Sequence, residues 1–151
     1  MSAKDSPSPA RRKVVVTRRF DTAIESVFDA WLDPAAAGRW LFATPTGQMV
    51  RVEIDARVGG KFVIAEQRAD GLTEHVGNYL EIDRPRRLVF SFGVPKYSAE
   101  LTRVTVDIVP RGSGCELTIT HEGVLPGYAE RSAAGWTGIL AGLAGCLARA
   151  G

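Results

Sequence analysis

Three polar side chains, Glu66, His75 and His121, stand where the sequence otherwise predicts an apolar surface. Alternate residues of a strand share one face, and Glu66 extends the apolar series of Phe62 and Ile64 at intervals of two. A carboxylate and two imidazoles in an apolar setting can orient the polar group of a ligand, or act as acid and base once burial has shifted their pKa values. These three residues are therefore the candidate chemical site and the candidates for catalysis.

Plainer interpretations of the three residues stay open. They would equally form a hydrogen-bonded polar cluster, since buried polar groups need partners, or the histidines would end strands in solvent. Two histidines and one carboxylate can also hold iron or zinc. The spacing of these residues gives no support for that, so we predict neither a metal nor a cofactor. Whether the protein is an enzyme is not decided by these residues.

The sequence lacks the motifs of several common enzyme classes. It contains no glycine-rich phosphate loop and no Ser/His/Asp order. Gly112, Ser113 and Gly114 indicate a hairpin turn rather than the G-x-S-x-G turn that positions a nucleophilic serine.

The candidate residues must be positioned by strands, because β-branched and aromatic segments alternate with turns along most of the chain. A first strand is predicted at 13–20. Six more are predicted at about 48–56, 61–68, 74–82, 88–93, 100–109 and 115–121. The turns between these six are too short for anything but hairpins, so we predict an antiparallel meander.

Two short helices are predicted between the first two strands. Thr22 and Glu25 match a capping box, and apolar residues up to Trp31 recur at helical spacing. Asp33 and Pro34 then suit the N-cap and the first position of a second helix.

The segment 128–150 is the one long helix that the sequence predicts. Its apolar residues fall on one stripe: Trp136, Ile139, Leu140, Leu143 and Leu147. Interior glycines cost about 1 kcal/mol each relative to alanine, so the helix depends on packing along that stripe. The uncharged run 132–148 reaches only the short limit of about 17 to 25 residues for a membrane span, and glycines dilute it, so we predict no membrane association.

Strand parity divides the sheet into an apolar face and a polar face. The apolar face is predicted to carry Phe62, Ile64, Glu66, His75, Gly77, Tyr79, Leu88, Phe90, Phe92, Val104, Val106, Ile108, Leu117, Ile119 and His121. The face in solvent is predicted to carry Lys61, Gln67, Arg103, Thr105, Asp107, Glu116, Thr118 and Thr120. We expect the terminal helix to cover the apolar face, which gives an α+β layered fold.

Length, charge and cysteine content set the broad class. The chain of 151 residues suits one domain, predicted at 13–151 after a disordered leader at 1–12 that lacks the apolar core of a signal peptide. Nineteen lysines and arginines against seventeen aspartates and glutamates give a net charge of +2, too small to predict nucleic-acid binding. The two lone cysteines, Cys115 and Cys146, fit a reducing cytoplasm.

Five stretches, taken with the order of the elements, carry a family resemblance: 20–31, the Arg-Val-Gly-Gly-Lys-Phe turn at 57–62, 77–90, 117–123 and 135–136. Together they resemble the helix-grip fold of the START-like, or SRPBCC, superfamily, over residues 14–148. Within it the chain is similar to bacterial homologues of the activator of heat-shock protein 90 ATPase. The resemblance implies a curved antiparallel sheet of about seven strands wrapped on the long C-terminal helix, with two short helices between the first two strands.

The resemblance also implies a pocket between the sheet and the last helix. Its ligand-binding residues would be Phe62, Ile64, Glu66, His75, Phe90, Phe92, Val104, Val106, Ile119, His121, Trp136, Ile139, Leu140 and Leu143. The same residues would also fill an ordinary core, and the sequence leaves the two interpretations open. The last helix holds more glycine than the family leads us to expect, which would widen the pocket or loosen the helix.

Three functions follow from the resemblance as expectations. The first is a domain that binds a small hydrophobic molecule in this pocket. The second is an enzyme similar to polyketide cyclases and aromatases, in which Glu66, His75 or His121 moves protons. The third is a chaperone partner that acts through its surface, and a homodimer through a strand edge or the last helix is a further expectation.

Overall fold

One antiparallel sheet of seven strands makes up most of the protein, and the structure, a computed structural model, describes residues 10–150 except the side chains of 149 and 150. The strands are β1 (Arg12–Phe20), β2 (Gln48–Ile54), β3 (Lys61–Arg68), β4 (Gly71–Asp83), β5 (Arg87–Phe92), β6 (Thr102–Arg111) and β7 (Gly114–Val124). The helices are α1 (Ile24–Asp29), α2 (Pro34–Trp40) and α3 (Ala129–Ala150), the last after a 3-10 turn at Pro126–Tyr128. The predicted leader lies outside the described residues except at 10–12.

The strand order is β1-β7-β6-β5-β4-β3-β2, and each neighbouring pair is antiparallel. Strands β2 to β7 form the predicted meander, and β1 pairs alongside β7, which leaves β1 and β2 as the two edges. The prediction of an α+β helix-grip architecture, with two short helices between the first two strands and a long helix at the end, is confirmed.

The start of α1 differs from the prediction, whereas the start of α2 does not. Ala23, not Thr22, is the N-cap of α1, and no side chain caps this end. The threonine lies one residue too early, and its carbonyl accepts a hydrogen bond from the Cys115 thiol instead. At α2, Asp33 is the N-cap, its carboxylate accepts a hydrogen bond from the backbone N–H of Ala35, and Pro34 occupies the first position as predicted.

The predicted apolar face of the sheet is the face that the protein buries. Phe62, Ile64, Phe90 and Ile119 are each 3% exposed or less, and Glu66, His75 and His121 are buried beside them. We call this surface of the sheet the inner face.

The opposite face is mostly in solvent, but Thr105 on it is buried, contrary to the prediction. Thr105 pairs with Val89, which is also buried on that face. Two residues away on each strand, the Arg87 guanidinium bonds to Asp107 at 2.9 Å and reaches Glu81 on the next strand. These long charged side chains lie beside the threonine and shield it from water.

Helix α3 packs one side on the inner face and leaves the other side open. Trp136, Leu140 and Leu143 are buried, as the stripe predicted. A methyl group added at Gly135 or Gly138 would meet no atom within 4 Å. Over the described residues, none of the helices has both the length and the apolar character that crossing a membrane requires.

Candidate functional site

The three candidate residues share the inner face but do not touch one another through hydrogen bonds. His75 on β4 lies opposite Ile64 of β3, and Glu66 is two residues further along β3. His121 lies on β7, and the Phe92 ring separates it from His75, with ring centroids 5.6 and 6.1 Å away respectively. The sequence therefore placed the three residues on the correct surface, while their spacing prevents direct proton transfer between the two imidazoles.

Glu66 is an ion-paired anchor for the loop between α2 and β2. Its carboxylate accepts hydrogen bonds from the backbone N–H of Thr44 at 2.8 Å, the Thr44 hydroxyl at 3.0 Å and Arg68 Nε at 2.7 Å. Burial alone would raise the pKa of Glu66, but the bonds from Thr44 and Arg68 outweigh it and hold the pKa below its usual range. Arg68 also donates to the carbonyl of Phe42 at 3.2 Å. The glutamate is thus a fixed carboxylate that holds a loop in place.

His75 keeps one ring nitrogen uncommitted. Its Nδ1 lies 3.1 Å from the carbonyl of Ile64, and because a carbonyl only accepts, Nδ1 carries the proton. Burial lowers the pKa of His75 to about 4, so the ring is neutral at pH 7. Its Nε2 forms no hydrogen bond within the described chain. His75 therefore offers an acceptor lone pair and a flat ring face.

His121 uses both ring nitrogens. The Trp136 indole N–H donates to Nδ1 at 3.1 Å, and an indole nitrogen is only a donor, so Nδ1 is the acceptor and Nε2 carries the proton. Nε2 lies 2.7 Å from the Thr102 hydroxyl, which in turn donates to the carbonyl of Phe92 at 3.0 Å. The Ser132 hydroxyl is 3.1 Å from Nδ1, and burial lowers the pKa of His121 to about 4. This histidine links strand β7 to helix α3 and strand β6.

Phe42 fills the space beneath α3 that the sequence analysis assigned to a ligand. Phe42 follows the C-cap of α2 and has a φ of 60°. This left-handed conformation costs a non-glycine residue about 1–2 kcal/mol. Its ring lies flat on His75, with centroids 4.4 Å apart and planes 3° from parallel. It also stacks on Phe92 at 5.1 Å and lies 5.8 Å from Trp136. A loop side chain thus joins the sheet to the helix.

The space that remains beside Phe42 is a cavity of about 10 Å³. That volume is enough for about one water molecule, whereas sites for drug-sized ligands have about 300–1,000 Å³. Its lining is Trp31, Leu41, Phe42, Phe62, Tyr79, Leu88 and Phe90. Of the predicted ligand-binding residues, Phe62 and Phe90 line it. The other apolar ones pack in the core, and Glu66, His75 and His121 are buried polar residues.

Two buried polar atoms near this region have no hydrogen-bond partner among the described residues: Trp31 Nε1 and Thr73 Oγ1. Trp31 is 1% exposed and lines the cavity. Thr73 lies on the inner face, opposite Glu66 in the register of β3 and β4. A buried unpaired polar atom is uncommon in native proteins and marks a place where a partner is expected.

The described residues bring together no group of three or more His, Cys, Asp or Glu side chains that could hold a metal ion. A second concavity of about 450 Å³ lies at the turn between β2 and β3 and is open to solvent. Its lining is Glu53, Ile54, Asp55, Arg57, Gly59, Gly60 and Lys61, so it is mostly charged or backbone.

The residues that decide the shape of the site were not among those predicted from the sequence. Phe42 follows Trp40 and Leu41 in an apolar run that carries no helical or strand period. That run after the end of a helix was the one available signal that these side chains are buried. Thr102 and Ser132 gave no signal, because their bonds to His121 join positions far apart in the chain.

Comparisons with known proteins place this geometry among related structures. A model of the family described as Activator of Hsp90 ATPase homolog 1-like protein matches residues 21–148. The comparison with curated proteins finds no match. Protein CV1439 of Chromobacterium violaceum is 26% identical with a TM-score of 0.80, over 88% of this chain and 94% of that chain.

Two further solved structures are similar. An AHSA1-like protein of Aeromonas hydrophila is 25% identical with a TM-score of 0.78, over 92% of this chain and 94% of that chain. A protein of unknown function from Staphylococcus aureus has a TM-score of 0.84 over 94% and 96% of the two chains. At 14% identity, this last match speaks to the fold alone.

Proposed function

The chain belongs to the family of Activator of Hsp90 ATPase homolog 1-like proteins, and from that premise we propose that it binds a small hydrophobic molecule on the inner face beneath α3. The ligand takes the space that Phe42 fills. The predicted lining residues around that space supply the apolar walls, and the ring of His75 supplies a flat face.

The observation that carries this proposal is the conformation of Phe42. The ring sits between the sheet and α3, yet it belongs to the loop between α2 and β2, so our proposal has the loop move while both of those elements stay in place. Its backbone at a φ of 60° stores strain that leaving would release. Hydrophobic contacts hold the Phe42 ring in place, and a ligand with a similar apolar area replaces those contacts.

Proton transfer is the weaker alternative. Glu66 is committed as an anion to Arg68 and Thr44, and both nitrogens of His121 are bonded, so His75 Nε2 is the remaining base. A lone base without an acid across from it does not amount to a cyclase site. The chaperone partner, the homodimer and a cytoplasmic location stay predictions, since no observation on the described residues favours them.

The test uses the protein purified from its native organism and from a heterologous host. We expect native mass spectrometry of the first preparation to find a small molecule bound. We expect ethylbenzene to bind the Phe42→Ala variant in solution NMR, because an enclosed apolar cavity of about 150 Å³ accepts a benzene-sized molecule.

The matched control is Tyr97→Ala, which removes an aromatic ring that is 66% exposed on a nearby loop. This variant should behave as the wild type does. A native preparation without a bound molecule, together with a Phe42→Ala variant that ethylbenzene does not perturb, would sink the proposal.

A further inference from the structure

The indole N–H of Trp31 is the least explained polar group of the site. Trp31 is 1% exposed, and its Nε1 has no hydrogen-bond partner among the described residues. The Trp40 ring packs edge to face against it at 4.8 Å, but an N–H contact with a ring is weaker than a bond to oxygen. Trp40 itself donates to the carbonyl of Ala30, so of the two indoles only one is paired.

Trp31 and Phe42 line the same small cavity. The flat face of the Phe42 ring is stacked on His75. The same residue also lines the cavity that Trp31 lines, so Phe42 lies between the imidazole and that cavity. A molecule that takes the place of this ring would have one face on His75, and any part of it that extended into the cavity would come near Trp31.

We infer that the ligand is a flat, uncharged aromatic molecule with a hydrogen-bond-accepting oxygen, whose ring replaces Phe42 on His75 and whose oxygen accepts from the Trp31 indole N–H. This inference rests on the proposed function and adds the chemical class of the ligand. Flatness follows from the 3° angle between the imidazole and the ring that now covers it.

The absence of charge on the ligand follows from the groups that surround it. Among the predicted lining residues, Glu66 is the one charged at neutral pH, and Arg68 already neutralises it. Both histidines are neutral at pH 7, because burial lowers each pKa to about 4. A charged ligand would lose its hydration without gaining an opposite charge from these residues.

The experiment compares acetophenone with α-methylstyrene, which has nearly the same shape but carries a methylene group in place of the carbonyl oxygen. Binding of each is measured by NMR titration to Phe42→Ala and to the double variant Phe42→Ala, Trp31→Phe. We expect acetophenone to bind Phe42→Ala about tenfold more tightly than α-methylstyrene, which is the effect of one hydrogen bond to an otherwise unpaired donor. In the double variant the two probes should bind with about equal affinity, because the indole N–H is gone while an aromatic ring remains at position 31.

A second readout is the indole N–H resonance of Trp31, assigned by its loss in Trp31→Phe. Acetophenone should shift this resonance strongly, and α-methylstyrene should not. If Phe42→Ala does not fold, Phe42→Gly takes its place, because glycine accepts a φ of 60° without strain.

Equal affinity for the two probes in Phe42→Ala, or a preference that survives Trp31→Phe, would overturn the inference while leaving the proposed function intact. Failure of both probes to bind either variant would instead count against the proposed function as well.

Discussion

The two histidine sites of the inner face look alike in the sequence and differ in the structure. His75 and His121 are both 6% exposed, and burial lowers the pKa of each to about 4. At His121, Trp136 and Thr102 bind the two ring nitrogens. At His75, one nitrogen is bound by the backbone, and the ring is stacked on Phe42 at 4.4 Å, with Phe92 6.1 Å away.

The difference separates a histidine with both ring nitrogens bonded from one with a single bonded nitrogen. The partners of His121 are fixed on β6 and α3, so replacing them means moving a strand or a helix. The cover of His75 comes from a loop that two side chains, Glu66 and Arg68, hold in place. Fixed elements therefore hold the histidine on β7, whereas a loop side chain covers the histidine on β4, where we propose that a ligand binds.

The largest expected effect comes from breaking the structural site. Trp136→Ala removes the donor to His121 and a buried ring that Phe42 and Phe92 contact, so it should lower the free energy of unfolding by about 3–5 kcal/mol. Urea denaturation at pH 7 measures the loss. Trp136→Phe is the control, since it removes the indole N–H but keeps an aromatic ring, and it should cost about half as much or less. A loss below about 1 kcal/mol for Trp136→Ala would contradict the structural role of this site.

Acid should weaken both histidine sites together. The unfolded chain takes up protons near pH 6.5 whereas the folded protein does so only near pH 4, so stability is highest above pH 6.5 and falls as the pH drops toward 4. The loss over that range is up to about 3 kcal/mol for each histidine, which urea denaturation at several pH values measures. Replacing both histidines by Gln should flatten the profile between pH 6.5 and 5. An unchanged slope in that variant would show that other groups cause it.

A smaller effect should come from loosening the cover of His75. A methyl group at Gly47 would clash with the carboxylate of Glu66 and lie 2.6 Å from the hydroxyl of Thr44. Gly47→Ala should therefore displace the carboxylate from Thr44 and cost about 2 kcal/mol, typical of hydrogen bonds to a charged group. Gly47→Ala should also bind ethylbenzene more tightly than the wild-type protein does, as measured by NMR titration of both. Gly127→Ala is the matched control, because a methyl group there meets no atom within 4 Å. Unchanged affinity in Gly47→Ala would argue against loop exchange at His75.

The smallest expected effect is an increase in stability from substitutions in α3. Gly135→Ala and Gly138→Ala should each stabilise the protein by about 0.5–1 kcal/mol, because the new methyl groups face open space and alanine favours the helix. Thermal denaturation detects the change. Ethylbenzene affinity of the Phe42→Ala variant should stay the same when either substitution is added, and an altered affinity would mean that α3 takes part in ligand entry.

Strand bounds, inward-facing residues and helix caps differ in how well the sequence predicts them. The bounds of β3 were predicted as the structure has them, and the parity of inward residues was correct, because alternation in a half-buried strand is a local signal. The N-cap at Asp33 was local as well, whereas the cap assigned to Thr22 was wrong by one residue.

The candidate site was only half accessible to sequence reasoning. Its residues could be named from strand parity, but whether the space between them is empty depends on Phe42, whose left-handed backbone no periodic pattern signals. The distinction between the two histidines was equally hidden, since it rests on Thr102 and Trp136, which belong to other elements and lie 19 and 15 residues from His121.

Among the described residues, β1 pairs with a neighbour on one side only, and this has a consequence for concentrated solutions of the protein. Arg12, Lys13, Arg18 and Arg19 are all exposed along that strand. Two copies that tried to extend the sheet by joining these strands would bring cations against cations, which natural edge strands use to discourage fibre-like growth. We therefore expect these charges to disfavour self-association through the pairing of β1 with a second β1.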